Sequence, residues 1–80
     1  MSSKIEEANK PFAKGLEVII ARKGLKQIYV AKIAGYTQQQ LNRMLNGRKM
    51  ISAKDIVQIS KALGESPDAI FQAERESTDV

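Results

Sequence analysis

The sequence predicts an all-α fold, a compact bundle of five short helices, on three observations. Four of the five glycines follow segments in which apolar residues recur every three or four positions. Glycine is favoured just past the end of a helix, because it adopts a left-handed backbone conformation without a Cβ clash. No segment alternates apolar with polar residues as a half-buried strand does. Finally, 80 residues make one small domain with a thin core.

The first two helices are predicted from their apolar spacing and their ends. Helix one is expected over residues 11–23, since Pro11 suits a first turn and two basic residues occupy the last turn. Helix two is shorter and is expected over residues 27–34. Gly15 falls inside helix one, where glycine costs about 1 kcal/mol relative to alanine. Close packing is the one reason we can offer for it.

Three further helices have polar residues at their starts. Thr37 is a good N-cap for helix three, which is expected to run to about residue 46. Ser52 is the predicted N-cap of helix four, with Asp55 three residues later as a weak variant of the capping box. Ser66 followed by Pro67 begins a short helix five. The chain then divides into a polar N-terminal arm over 1–10, the helical domain over 11–71 and a polar tail over 72–80 that we expect to fray.

The composition disfavours several classes of function. There is no cysteine and no histidine, which removes disulfides, thiolate metal sites and the commonest general base. The remaining carboxylates and lysines have no recognisable catalytic spacing, so we expect a protein that is not an enzyme and that uses no metal and no other cofactor. No apolar run reaches the roughly 18–20 residues needed to cross a membrane, and the polar start resembles no secretory signal. We therefore expect a cytoplasmic protein.

The net charge of +4 hides an uneven distribution along the chain. Residues 11–50 carry eight basic residues and one acidic residue, whereas residues 51–80 carry three basic and six acidic residues. This asymmetry indicates that one side of the domain meets a polyanion. A solvated, lysine-rich surface is the alternative, and charge alone does not decide between them.

Residues 27–46 carry a pattern that predicts two helices meeting at a steep angle. Counted from Gln27, apolar residues occupy positions four, eight, ten, fifteen and eighteen, alanine occupies position five and glycine occupies position nine. Crossing helices need a small residue where they nearly touch and a turn residue that accepts a positive φ. The five apolar positions would bury the seam between the two helices.

This pattern resembles the Cro-type (XRE-like) helix-turn-helix family of bacterial and phage DNA-binding proteins. The resemblance continues through NGRK, SAKDIVQISKALG and SPDAIF and covers residues 12–71. Within the family, TQQQLNRMLNG is most similar to the recognition helix of the phage 434 repressor and Cro group, and it departs from that group at Gln40, Asn42 and Arg43. The resemblance implies a lambda repressor-like domain that binds double-stranded DNA and regulates transcription, most simply as a repressor. The departures imply a different operator sequence.

The resemblance also assigns roles to individual residues. A recognition helix enters the major groove, where glutamine pairs with adenine and arginine with guanine. The base-reading residues would be Gln38, Gln39, Asn42 and Arg43. The residues that would contact the DNA backbone are Lys26, Gln27, Thr37, Gln40, Asn46, Arg48 and Lys49, with main-chain N–H groups of the loop after helix three assisting. Lys26 stands where the family often has a serine or threonine cap, so a capping role is in doubt. A solvated polar surface is the alternative for each of these residues.

The resemblance also bears on protein partners. The family implies a homodimer on an inverted repeat, with a dimer contact through Pro67, Ile70 and Phe71. An alternative function on the same fold is a protein-interaction module of the antitoxin or anti-repressor type. Ile28 and Tyr29 are its sequence support, because they are expected to be exposed. They could equally be scattered surface apolar residues, and Ile33 could be half-buried.

Overall fold

The computed structural model describes residues 4–78, and this range folds into five helices. They are α1 (Lys4–Lys23), α2 (Gln27–Ala34), α3 (Gln38–Leu45), α4 (Ala53–Leu63) and α5 (Pro67–Thr78). No strand occurs between residues 4 and 78. The predicted all-α bundle of five helices is therefore confirmed. Within the same range, no helix combines the length and the apolarity that crossing a membrane requires.

Helix α1 begins earlier than the sequence predicted. It starts at Lys4, so residues 4–10 of the expected polar arm are helical and Pro11 lies inside the helix. Residues 1–3 of that arm lie outside the described residues. An interior proline lacks the N–H that a helix needs and usually costs about 3 kcal/mol. The turns before Pro11 are anchored by buried Asn9, whose side chain bonds to a distant loop. The sequence offered no local sign of this contact.

Helix α5 continues further than predicted. Residues 72–78 of the expected polar tail are helical, and Ala73 is fully buried there. Oε1 of Glu76 lies 3.7 Å from Nη1 of Arg22, which is in the last turn of α1. The last two residues of the expected tail, 79–80, are outside the described part of the chain. A single buried alanine in a polar segment is too small a signal to predict this extension.

The crossing of α1 and α5 explains the interior glycine of α1. A Cβ atom built at Gly15 would overlap the carbonyl oxygen of Ile70, so the two helices approach as closely as a bare backbone permits. The rings of Phe12 and Phe71 pack edge to face beside this crossing, with centroids 5.6 Å apart. The expectation that Gly15 serves close packing is confirmed.

The core is a single cluster to which all five helices contribute. Its fully buried large side chains come from α1, α2, α3, α4 and α5: Leu16, Val30, Leu41, Met44, Ile59 and Ile70. Leu41 and Met44 supply the contribution of α3. The short helix α3 therefore has one face committed to the core, and its other face is left for solvent.

Candidate nucleic-acid interface

The junction of α2 and α3 has the glycine turn, the small residue and the buried seam that the sequence pattern predicted. Helix α2 ends at Gly35, which has a φ of 86°. The N–H groups of Gly35 and Tyr36 donate to the last carbonyls of α2, at 3.2 and 2.8 Å. Ala31, the small residue at position five, is 1% exposed. Of the five predicted apolar positions, four are buried, and Tyr36 is half-buried.

Two side-chain hydrogen bonds fasten this helix pair to α4. The Nε2 amide of Gln58 donates to the carbonyl of Ala34 at 2.6 Å, which satisfies one of the orphan carbonyls at the end of α2. The hydroxyl of Tyr36 donates to Oδ1 of Asp55 at 2.6 Å. Because these partners are 24 and 19 residues apart in sequence, no local pattern could have predicted them.

The Tyr36–Asp55 contact shifts the pKa of both groups. Burial raises the pKa of Tyr36 well above its usual value, and the hydrogen bond to Asp55 adds to the shift. Burial also acts to raise the pKa of Asp55, but hydrogen bonds from Tyr36 and Ser52, together with nearby Lys49, outweigh it and leave that pKa below its usual value. At neutral pH the contact is therefore a phenol donating to a carboxylate, which is a strong form of hydrogen bond.

The start of α3 is a complete capping box. Oγ1 of Thr37 accepts from the N–H of Gln40 at 3.1 Å, so the predicted N-cap is confirmed. In return, Oε1 of Gln40 accepts from the N–H of Thr37 at 2.8 Å. Gln40 was predicted only as a DNA-backbone contact, although threonine followed by glutamine three residues later is a known capping signature. The side-chain oxygen of Gln40 is therefore already engaged in the cap.

The exposed face of α3 brings together the four predicted base-reading residues. Gln38, Gln39, Asn42 and Arg43 are all exposed. Within that set, Oδ1 of Asn42 accepts from Nδ2 of Asn46 at 3.2 Å. Side chains that can donate to and accept from base edges therefore share one surface, and a predicted backbone contact adjoins them.

The loop after α3 differs from the expectation in one respect. The N–H groups of residues 46–49 donate to carbonyls in the last turns of α3, among them those of Arg48 and Lys49, which both donate to Arg43 at 2.8 and 3.2 Å. These main-chain groups are engaged within the chain, so the expected main-chain grip on the DNA backbone is not available from them. The side chains of Asn46, Arg48 and Lys49 are exposed.

Asn9 is a residue of this region that the sequence analysis missed. It is 2% exposed, and its side-chain amide contacts both ends of the loop after α3. Gly47, in the middle of that loop, has a φ of 74° and lies directly against Glu6 of α1. The first turns of α1 thus pack against the loop and support it.

The start of α2 lacks a side-chain cap. Lys26 occupies the N-cap position and makes no capping hydrogen bond, as its departure from the family pattern suggested. Its side chain is exposed, and that of Gln27 is half-buried. A helix N-terminus of this kind presents N–H groups and a partial positive charge, both of which favour an anion.

The remaining predicted contacts fare unequally. Ile28 and Tyr29 are 55% and 50% exposed, as expected, whereas Ile33 is more exposed than expected, at 38%. Ile70, a predicted dimer contact, has no exposed surface because it plugs the core beneath Gly15. Its side chain therefore cannot meet a second protomer while this core is intact, and that prediction is wrong. The other two residues of the predicted dimer contact, Pro67 and Phe71, are half-buried.

Comparison with known proteins agrees with the geometry of α2 and α3. The Helix-turn-helix family model matches residues 17–70, more than half of the chain. The chain belongs to the helix-turn-helix family. The crystal structure of the clp gene regulator ClgR from C. glutamicum is similar to it with a TM-score of 0.77 and 21% sequence identity, over 88% of this chain and 91% of that chain. At this identity the likeness establishes a shared fold. No curated protein matches the helix-turn-helix chain significantly.

Proposed function

We propose that this helix-turn-helix protein is a sequence-specific DNA-binding regulator of transcription, a repressor similar to the phage 434 repressor and Cro group. The observation that carries the proposal is the division of α3 into two faces. Leu41 and Met44 are fully buried, and the opposite face exposes two glutamines, an asparagine and an arginine. These are the side chains that pair with adenine and guanine edges in the major groove. The regulatory function named for the ClgR structure is compatible with this proposal.

In this proposal the base-reading residues are Gln38, Gln39, Asn42 and Arg43. Residues flanking α3 contact phosphates, which position the protein without specifying sequence. The side chains of Lys26, Arg48 and Lys49 supply charge, and those of Gln27, Thr37 and Asn46 supply hydrogen bonds. The amide nitrogen of Gln40 can still reach a phosphate while its oxygen caps α3. Binding is accordingly strongly salt-dependent.

The proposal includes a homodimer on an inverted repeat. One α3 helix would occupy each half-site, with half-sites about 34 Å apart. Pro67 and the exposed part of Phe71 are the proposed contact, since both are half-buried at the surface of α5. Selection of bound sequences from a random duplex pool reports the operator, its palindromy and its half-site spacing together.

The double substitution Gln38→Ala with Gln39→Ala tests the recognition face. We expect the affinity for the selected operator to fall by roughly tenfold to a hundredfold for each base pair that is no longer read, while binding to random duplex DNA changes little. Gel-shift titrations measure both affinities. Gln72→Ala is the matched control, because it removes an exposed glutamine from α5. Undiminished operator binding by the double variant would show that α3 does not read the bases.

A protein-interaction module is the second candidate function. The observation that favours it is the run of exposed apolar side chains on α2, namely Ile28, Tyr29 and Ile33. A salt titration of binding to random duplex DNA separates the two functions. An affinity that stays flat between low and moderate salt favours the protein-interaction module, whereas a steep decline favours the DNA-binding regulator.

A further inference from the structure

We infer that Asn9 is a positioning residue that fixes the loop after α3 and thereby sets how firmly the chain holds the DNA phosphate backbone. The inference rests on the proposed function. It assigns a binding role to a residue that is 2% exposed and that cannot itself reach DNA. Asn9 acts through the side chains of Arg48 and Lys49.

Both donor hydrogens and the acceptor oxygen of the Asn9 amide are engaged around the loop. Nδ2 donates to the carbonyl of Met44 at 3.0 Å and to the carbonyl of Lys49 at 2.7 Å. Oδ1 accepts from the N–H of Ile51 at 3.0 Å. The amide offers two donor hydrogens and an acceptor oxygen, so asparagine matches this site. Aspartate would place a carboxylate against two carbonyl oxygens, which repel it.

The three bonds fix both ends of the loop from a single side chain. One bond goes to the last turn of α3, and the other two go to the residues that lead into α4. The loop's own hydrogen bonds to α3 extend as far as the N–H of Lys49. The bonds of Asn9 to Lys49 and Ile51 therefore begin where the bonds from α3 stop.

Glycine at position 47 completes the support from below. A Cβ atom built there would lie 2.6 Å from Cβ of Glu6 and 2.7 Å from its Cα. The loop thus cannot move towards α1, and Asn9 prevents it from moving away. Arg48 and Lys49 are exposed and extend from a backbone that is held on both sides.

Loss of Asn9 should loosen the phosphate grip and spare base recognition. The carbonyl of Lys49 and the N–H of Ile51 would lose the Asn9 side chain as a partner. The carbonyl of Met44 would keep only the N–H of Gly47, so the loop would relax towards water. The first turn of α3, which carries Gln38 and Gln39, is held by buried Leu41 and by the Thr37 cap. Asn9 contacts neither of these, because its one bond to α3 is at the carbonyl of Met44 in the last turn. Affinity for every duplex should therefore fall by a similar factor, and the ratio between operator and random DNA should persist.

The experiment measures fluorescence anisotropy of the selected operator and of a scrambled duplex across a salt series. For Asn9→Ala we expect a uniform loss of affinity and a salt dependence, log K against log[salt], that is shallower by about 0.9 for each phosphate that the protein no longer neutralises. Ile19→Val, which trims the core on α1 away from the loop, should retain the wild-type salt dependence. Rapid hydrogen exchange of the Ile51 amide in Asn9→Ala, measured by NMR, reports the release of the loop directly.

A double-mutant cycle separates positioning from general destabilisation. If Asn9 acts through the loop cations, Asn9→Ala should weaken DNA binding little further in a chain that already carries Arg48→Ala and Lys49→Ala. Equal losses in both backgrounds would overturn the inference, as would a wild-type salt dependence in Asn9→Ala. Should Asn9→Ala fail to fold, Gly47→Ala displaces the same loop by a different route and should give the same signature. Wild-type protein that binds neither duplex would contradict the proposed function instead.

Discussion

At the scale of single residues, Asp55 joins more parts of the site than any local pattern indicates. Its carboxylate accepts from the Tyr36 hydroxyl at the turn between α2 and α3. It also accepts from the backbone N–H of Ser52, which completes the cap of α4. One side chain therefore caps one helix and fastens the neighbouring helix pair to it.

The stability of the protein should depend on the charge of Asp55. The folded pKa of Asp55 is lower than its unfolded value of 3.8, so its stabilising contribution is fully present above that value. The contribution is lost as the pH falls through the lower, folded pKa. We expect Asp55→Asn to be less stable than wild type at pH 7 and the difference to shrink below about pH 4.

Urea titrations at a series of pH values measure this difference. Glu17→Gln is the control, because it removes an exposed carboxylate from the middle of α1. A difference between wild type and Asp55→Asn that stays constant down to pH 2 would contradict the prediction, since it would mean that the ionised carboxylate contributes nothing.

At the scale of helices, the crossing of α1 and α5 depends on a missing side chain. Gly15 lets the backbone of α5 approach until a Cβ would overlap the carbonyl oxygen of Ile70. Helix propensity favours alanine over glycine by about 1 kcal/mol in a helix interior. Packing opposes it here, because the added methyl group would have to push the two helices apart.

We expect packing to win in Gly15→Ala. Overpacking a tight contact costs about 1–3 kcal/mol, and the obstacle here is rigid backbone rather than a flexible side chain. Thermal unfolding measures the loss, and faster hydrogen exchange in α5 locates it. Gly24→Ala is the control: it introduces strain at a φ of 65° but meets no atom within 4 Å, so exchange in α5 should be unaffected. A more stable Gly15→Ala protein would refute the close approach.

The helix ends show what the sequence could predict. Thr37 and Ser52 as caps, and Gly35 after α2, are local features whose chemistry is legible within four residues, and all three were predicted correctly. The start of α1 depends instead on Asn9, whose partners are 35–42 residues away. The contact of Gly47 with Glu6, which supports the loop after α3, also joins residues that are far apart in sequence. The face of α3 was predictable, and the support that holds its surroundings was not.

At the scale of the whole molecule, two basic residues at the C-terminal end of α1 lie beside acidic residues. Arg22 and Lys23 lie near Glu76 and Glu65, at 3.7 and 3.0 Å. These cations are at the end of α1 that is about 20 Å from Asn9 along the helix axis. The chain's positive excess is therefore not spread evenly, and part of it is balanced locally by acidic residues of the C-terminal third.

Two Arg-Lys pairs of identical composition test whether the position of the positive charge matters for DNA binding. Both double variants, Arg22→Ala with Lys23→Ala and Arg48→Ala with Lys49→Ala, remove the same net charge. We expect the second to weaken DNA binding and to flatten its salt dependence by about 0.9 for each phosphate that is left without a cation. The first should bind nearly as wild type does. Equal effects in anisotropy titrations would mean that net charge, rather than the position of the charge, governs binding.

The two faces of α3 also bear on how such a protein can change its target. Leu41, Met44 and the Thr37–Gln40 cap maintain the helix and its place in the core, whereas the outward side chains at 38, 39, 42 and 43 are exposed to solvent. Surface substitutions away from such structural features usually change stability by less than about 0.5 kcal/mol. In the proposed function, exchanging these four side chains should therefore change the preferred DNA sequence and leave the fold intact. If that expectation holds in binding assays, a designed regulator can keep the buried face of α3 and vary only the four outward positions.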